Sequence, residues 1–188
     1  MVRLQRLTGA RPAEVCILRP CDVNRSGEIW LYRPFRHKTE RHGHVRVVMI
    51  GPKSQAVLLR YLARGQETFC FRPIDSEAKR RAAQHSERKT PLSCGNRPGS
   101  VKTKKPKRAP SERYATASYR RAIHRACDKA EVARWAPNQL RHAAATEARR
   151  EFGLEAAQVV MGHSKADVTQ VYAERDLAKG LAVAKAIG

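Results

Sequence analysis

Acidic side chains are scarce in this 188-residue chain, with 17 Asp and Glu against 38 Lys and Arg, a formal net charge of +21. An excess of that size repels itself unless a polyanion neutralises it, and nucleic acid is the commonest such partner. A ribosomal or histone-like protein carries the same signature, so charge selects a partner and no reaction. Long apolar runs are also missing: none approaches the roughly 20 residues that span a membrane. The basic stretch from Met1 to Arg6 is followed by no apolar segment, so no signal peptide is visible and a cytoplasmic location is expected. Cysteine is sparse and scattered (Cys16, Cys21, Cys70, Cys94, Cys127), with no C-x2-C pair. This excludes a zinc module and a closed disulfide framework, and predicts buried, reduced thiols. His37, His42 and His44 lie close together, but no cysteine or carboxylate pair completes a ligand set, and no metal is expected. What remains is 41% hydrophobic, enough for one domain with a sizeable core.

Thr8-Gly9-Ala10 reads as a loop, and Pro12 suits the first turn of a helix that carries Val15 and Leu18 inward. Arg19-Pro20 ends that helix, because the residue before proline disfavours helical backbone. Residues 28–33 (EIWLYR) and 45–50 (VRVVMI) are β-branched and aromatic, and predict two strands joined by the polar stretch 36–44. Pro52 opens another helix, with Ala56, Leu59 and Ala63 spaced for one buried face. Residues 72–112 contain almost no large apolar side chain and include the run KTKKPKR at 102–108. From Arg72 to Arg125, 16 Lys and Arg face 4 Asp and Glu, a net +12 in 54 residues. Much of that segment is expected to be a mobile insertion in the absence of DNA. Helices are predicted over 112–129, 138–151, 155–161 and 165–175. Gly153 and Gly162 act as stops, and Ser164 with Asp167 caps the last helix. The order predicts a single, mainly helical α+β domain over 1–188.

Four stretches together resemble the catalytic domain of the tyrosine recombinases, the phage-integrase type. Thr8-Gly9-Ala10-Arg11-Pro12-Ala13-Glu14 resembles the first arginine box of that family. His37-Lys38-Thr39, at a hairpin tip, is similar to its lysine hairpin. Pro137-Asn138-Gln139-Leu140-Arg141-His142 resembles its H-x-L-R-H box with asparagine in place of the first histidine. Met161-Gly162-His163-Ser164, with Tyr172 nine residues beyond the histidine, resembles the Gly-His and tyrosine boxes.

The resemblance implies a small β-hairpin or sheet beside a helical core. It also implies that the helical DNA-gripping domain that precedes this domain in the family is absent here. It implies site-specific DNA recombination or integration, of the kind carried by mobile elements, through a 3′-phosphotyrosine intermediate. Arg11 and Arg141 would clamp the scissile phosphate, Lys38 would protonate the leaving oxygen, Asn138 and His163 would assist, and Tyr172 would attack. No metal and no nucleotide cofactor is implied. The implied partner is double-stranded DNA, bound by a tetramer that is free to be monomeric without it. Lys102, Lys104, Lys105, Lys107 and Arg108 read as contacts to the DNA backbone. Two other readings stay open: a non-catalytic nucleic-acid-binding remnant, and a type IB-like topoisomerase that shares the chemistry.

The residue types suit the reaction. Phosphoryl transfer spreads charge over equatorial oxygens, so positioned cations are its main requirement. Arginine binds two phosphate oxygens with a planar fork and stays charged. Forming phenolate from tyrosine at pH 7 costs about 4 kcal/mol. One charge-assisted hydrogen bond contributes about 1.5–3 kcal/mol, so several cations are needed. Asparagine at 138 keeps a donor but cannot titrate, which predicts slowed cleavage. His142 stands a full helical turn further on and is not expected to replace the missing histidine.

Overall fold

Leu4 and Thr8 lie four residues apart on one buried face, and the chain from Val2 to Thr8 forms helix α1 in this computed structural model. The structure describes residues 1–37, 46–91, 93 and 110–162. Helix α2 (Pro12–Cys16) follows, with proline in its first turn where no amide hydrogen is needed. Val15 and Leu18 are buried as the sequence predicts. A 3-10 turn (Pro20–Asp22) leads into β1 (Val23–Asn24), which pairs with β2 (Trp30–Tyr32), and β2 pairs in turn with β3 (Val48–Ile50). The sheet is antiparallel in the order β1-β2-β3, with Val23 and Val48 both opposite Tyr32. Both predicted strands form, each shorter than expected, and β1 is an addition.

Helix α3 (Pro52–Leu62) starts at the predicted proline, but its buried face is Ser54, Leu58 and Leu62. The expected face of Ala56, Leu59 and Ala63 points outward, with Leu59 55% exposed. The reason is competition between two apolar stripes one residue apart. Only the stripe with Leu58 and Leu62 meets the core residues Leu4, Tyr32 and Ile50. Helix α4 (Pro73–Ser86) occupies the first part of the stretch read from sequence as mobile. None of its residues is buried, and Glu77 pairs along its surface with Arg80 and Arg81. Helix α5 (Thr116–Lys129) buries Tyr119, Ile123 and Cys127 against Cys16. Helix α6 (Pro137–Met161) is broken at Gly153, where φ is 89°, and ends at Gly162. Both glycines therefore stand where the sequence places the stops.

Gln5 locks the first helix to the last two. Its Nε2 donates to the Pro137 carbonyl at 2.9 Å, and its Oε1 accepts from the Tyr119 hydroxyl at 3.0 Å. A buried amide with donor and acceptor both engaged fixes a unique docking arrangement at little cost. Cys16, Cys70 and Cys127 are buried thiols as expected, whereas Cys21 is exposed, because it sits in the 3-10 turn at the surface. Cys94 and the predicted 165–175 helix with its capping pair lie outside the described residues. Among the described residues, no helix is long and apolar enough to cross a membrane.

Candidate active site

Two helix ends meet at Arg141. Gly9 closes α1 in the left-handed conformation (φ 62°, ψ 13°), and its amide bonds the Gln5 carbonyl. Gly162 closes α6 in the same way (φ 62°, ψ 50°). Left-handed backbone favours glycine, and here a larger residue would also have to displace a neighbouring side chain. A side chain at Gly9 would overlap the thioether of Met161, and one at Gly162 would overlap the guanidinium of Arg46. Ala144 and Ala145 give the first half of α6 a small, buried face packed on Met161. That packing carries Arg141, 3% exposed, between the two ends. Its Nη1 donates to the Gly9 carbonyl and its Nη2 to the Met161 carbonyl at 2.7 Å. Carbonyls at helix C-termini carry partial negative charge, so a cation is stabilised there without a carboxylate. An arginine set among alanines would ordinarily be expected to find a carboxylate or a phosphate. The two carbonyls are what this fold supplies.

Arg11 stands two residues after Gly9, so the loop whose Gly9 carbonyl accepts from Arg141 also carries Arg11. Its backbone amide donates to Glu14 Oε2 and its Nη1 to Glu14 Oε1, both at 2.8 Å. The pair is buried at its acidic end, since the Glu14 side chain is 2% exposed while that of Arg11 is 21% exposed. A second guanidinium reaches the same carboxylate from inside: Arg46 Nε donates to Glu14 Oε1 at 3.3 Å. Arg46 Nη1 donates to the Val160 carbonyl at 3.2 Å, next to the end of α6. Burial works to raise the Glu14 carboxyl. The charge of Arg46 and the hydrogen bonds from Arg11 outweigh it and hold the group below the usual carboxylate range. Burial likewise lowers Arg46 against the raising effect of Glu14.

Asn138 is exposed in the first turn of α6, and its Nδ2 donates to His142 Nε2 at 2.9 Å. Side chains four residues apart on a helix are neighbours, which brings the two together. A titratable ring does stand beside the asparagine. Of the residues singled out in the sequence, Arg11, Asn138 and Arg141 are described. Lys38, His163, Tyr172, Lys102, Lys104, Lys105, Lys107 and Arg108 lie outside the described residues. Sequence reading missed Arg46. The available signal was period-two alternation, since Arg46, Val48 and Ile50 are all buried on one side of the chain. Among the described residues, no group of histidines, cysteines and carboxylates could hold a metal. A wide cleft of about 1100 Å³, lined by Tyr61, Phe71, Tyr114 and Trp135, lies between α3, α4 and α5 and does not include Arg11 or Arg141.

No curated protein matches the chain by sequence. Among solved structures, it resembles XerA recombinase with a TM-score of 0.56 at 20% identity, over 99% of this chain and 56% of that one. It also resembles the Tn1549 transposon integrase in complex with circular intermediate DNA, with a TM-score of 0.59 at 16% identity, over 100% of this chain and 58% of that one. XerH site-specific recombinase bound to its difH substrate gives 0.53 at 18% identity, over 99% and 45%. At such identities the likeness is one of fold, and the chain spans little more than half the length of these structures at most. The profile of the phage integrase family, in contrast, matches residues 1–178, nearly the whole chain. This chain belongs to the phage integrase family, the tyrosine recombinases, and has the mainly helical fold with a small antiparallel sheet of their catalytic domains.

Proposed function

We propose that this chain cuts and rejoins double-stranded DNA at specific sites, with Tyr172 attacking the scissile phosphate to form a 3′-phosphotyrosine bond. The observation that carries this reading is the convergence at Arg141. One buried guanidinium joins the loop that bears Arg11 to the helix end from which the chain runs into His163. Arg11 is the more exposed cation of the pair and can offer donors to a phosphate, while Arg141 adds fixed charge behind it. Lys38 serves as proton donor to the leaving oxygen, and His163 assists at the phosphate. Asn138 keeps a hydrogen-bond donor at the position that histidine fills in the family. Lys102, Lys104, Lys105, Lys107 and Arg108 contact the DNA backbone. The neighbouring DNA complexes of the Tn1549 integrase and XerH support DNA as the partner. The working form is a DNA-bound homo-oligomer in the cytoplasm.

The test is incubation with a nicked duplex that traps the covalent step. A heat-stable protein–DNA adduct is expected from the native chain and none from Tyr172→Phe. A native protein that binds the duplex and never forms the adduct overturns the enzymatic reading. One observation favours that second reading, a nucleic-acid-binding remnant: both terminal nitrogens of Arg141 are already committed to carbonyls. Restoration of an adduct by Asn138→His would place the impairment at that residue.

A further inference from the structure

Arg46 has no part in the proposed reaction, yet it is a buried cation held against Arg11 by the carboxylate that both share. Its side chain is 3% exposed, and Nη2 is buried with no hydrogen-bond partner among the described residues. Burying a guanidinium is costly, and an incompletely satisfied one more so, so its position calls for a physical return elsewhere. Glu14 is where that return lies. Its carboxylate is shared, with Oε1 accepting from both Arg11 and Arg46. If Arg11 were the sole counter-charge, it would be tied to neutralising a buried carboxylate. With Arg46 neutralising Glu14 from the inside, the trio carries one net positive charge. The excess falls on the member that reaches solvent, which is Arg11. The second bond of Arg46, to the Val160 carbonyl, fixes this trio to the last turn of α6. A guanidinium spans both partners because its donors fork, a geometry that lysine lacks.

We propose that Arg46 is a positioning residue for strand cleavage: it neutralises Glu14 and ties it to α6, leaving Arg11 oriented with uncompensated charge toward the phosphate. This rests on the recombinase reading for its consequence in catalysis, but not for its electrostatics, and the two are tested apart. The first measurement needs no DNA cleavage. In the uncleaved, DNA-free protein, the Arg11 guanidinium NMR signal is followed during titration with inorganic phosphate. A saturable shift is expected for the native chain, with at least fivefold weaker affinity in Arg46→Met. Equal affinity in the two overturns the proposal. The second is single-turnover adduct formation. Arg46→Met is expected to lower the maximum rate about 10²-fold while half-saturation by DNA moves less than threefold, as for a misplaced reacting group. Val48→Ala, a neighbouring core change, serves as the control for general destabilisation and stays within threefold of native. Combining Arg11→Ala with Arg46→Met should slow cleavage no more than threefold beyond Arg11→Ala alone. A fully multiplicative loss would mean that Arg46 acts independently of Arg11, contrary to the proposal. Arg46→Lys covers the case in which the Met variant does not fold. It keeps the charge but cannot span Glu14 and Val160, and at least a tenfold loss of maximum rate is expected, with a native rate overturning the idea. Should the native chain form no adduct, the cleavage reading fails alone, and the phosphate titration decides the role of Arg46.

Discussion

Glu14 is held below the ordinary carboxylate range although burial pushes it the other way, because Arg46 and the Arg11 hydrogen bonds prevail. A carboxyl depressed in the folded state contributes stability that is complete above its unfolded-state value, about 4.3, and is lost as pH falls through the folded-state value. Glu14→Gln removes that dependence. At neutral pH the variant should be weaker by about 3 kcal/mol or more, since Arg46 is left as a buried, uncompensated charge. Urea midpoints of the two proteins should converge on acidification below about pH 4. A constant gap would show that Glu14 does not titrate in this window. At Asn138, replacement by histidine restores a titratable group and should speed adduct formation by about 10²-fold in single-turnover assays. An unchanged rate would mean that His142, 2.9 Å from the Asn138 amide, already supplies the proton. Arg11 and Arg141 were legible in the sequence because each stands in a box with fixed neighbours. Arg46 was not, being one of 38 basic residues with no motif of its own. Only its phase with Val48 and Ile50 marks it.

Glycine made the helix boundaries readable. Gly153 and Gly162 break and end α6 where the sequence says, because few other residues adopt their positive φ. Gly162→Ala should therefore cost about 2 kcal/mol in backbone strain alone. The displaced Arg46 guanidinium adds to this, which a lowered thermal midpoint would register. A midpoint equal to native would mean that the end of α6 rearranges freely. Other elements were hidden for physical reasons. Helix α1 is seven residues long and rich in arginine, so neither length nor periodicity announces it. It is held by Gln5 and by the burial of Leu4, both tertiary facts. Strand β1 has two residues, too few for any alternation to show. Helix α4 buries nothing and relies on local propensity and surface pairs, so its amides should exchange much faster than those of α5. Hydrogen-exchange mass spectrometry comparing residues 73–86 with 116–129 measures this directly. Equal protection would reveal a packing partner for α4.

For the molecule as a whole, a net charge of +21 would make the proposed binding to DNA chiefly a matter of releasing counterions. The association constant should fall linearly with salt on logarithmic axes, by about 0.9 for each phosphate engaged. Replacing Lys102, Lys104, Lys105, Lys107 and Arg108 with serine should flatten that slope by about 0.9 for every phosphate that these side chains neutralise in the native chain. An unaltered slope would remove the run from the interface. The overall class, an α+β domain rich in helix, was legible because turn residues and apolar periodicities fall in the right order. The meeting of distant segments was not, since spacing permits a pocket without building one. That meeting has a temporal side. The carbonyl that receives Arg141 from Gly9 is 132 residues away along the chain, and the other, from Met161, lies 20 residues further on. During vectorial synthesis the arginine therefore leaves the ribosome before its second acceptor exists. The junction at Arg141 is therefore among the last parts of the domain to assemble, and a nascent chain rich in positive charge is long exposed before its helix ends are tied together.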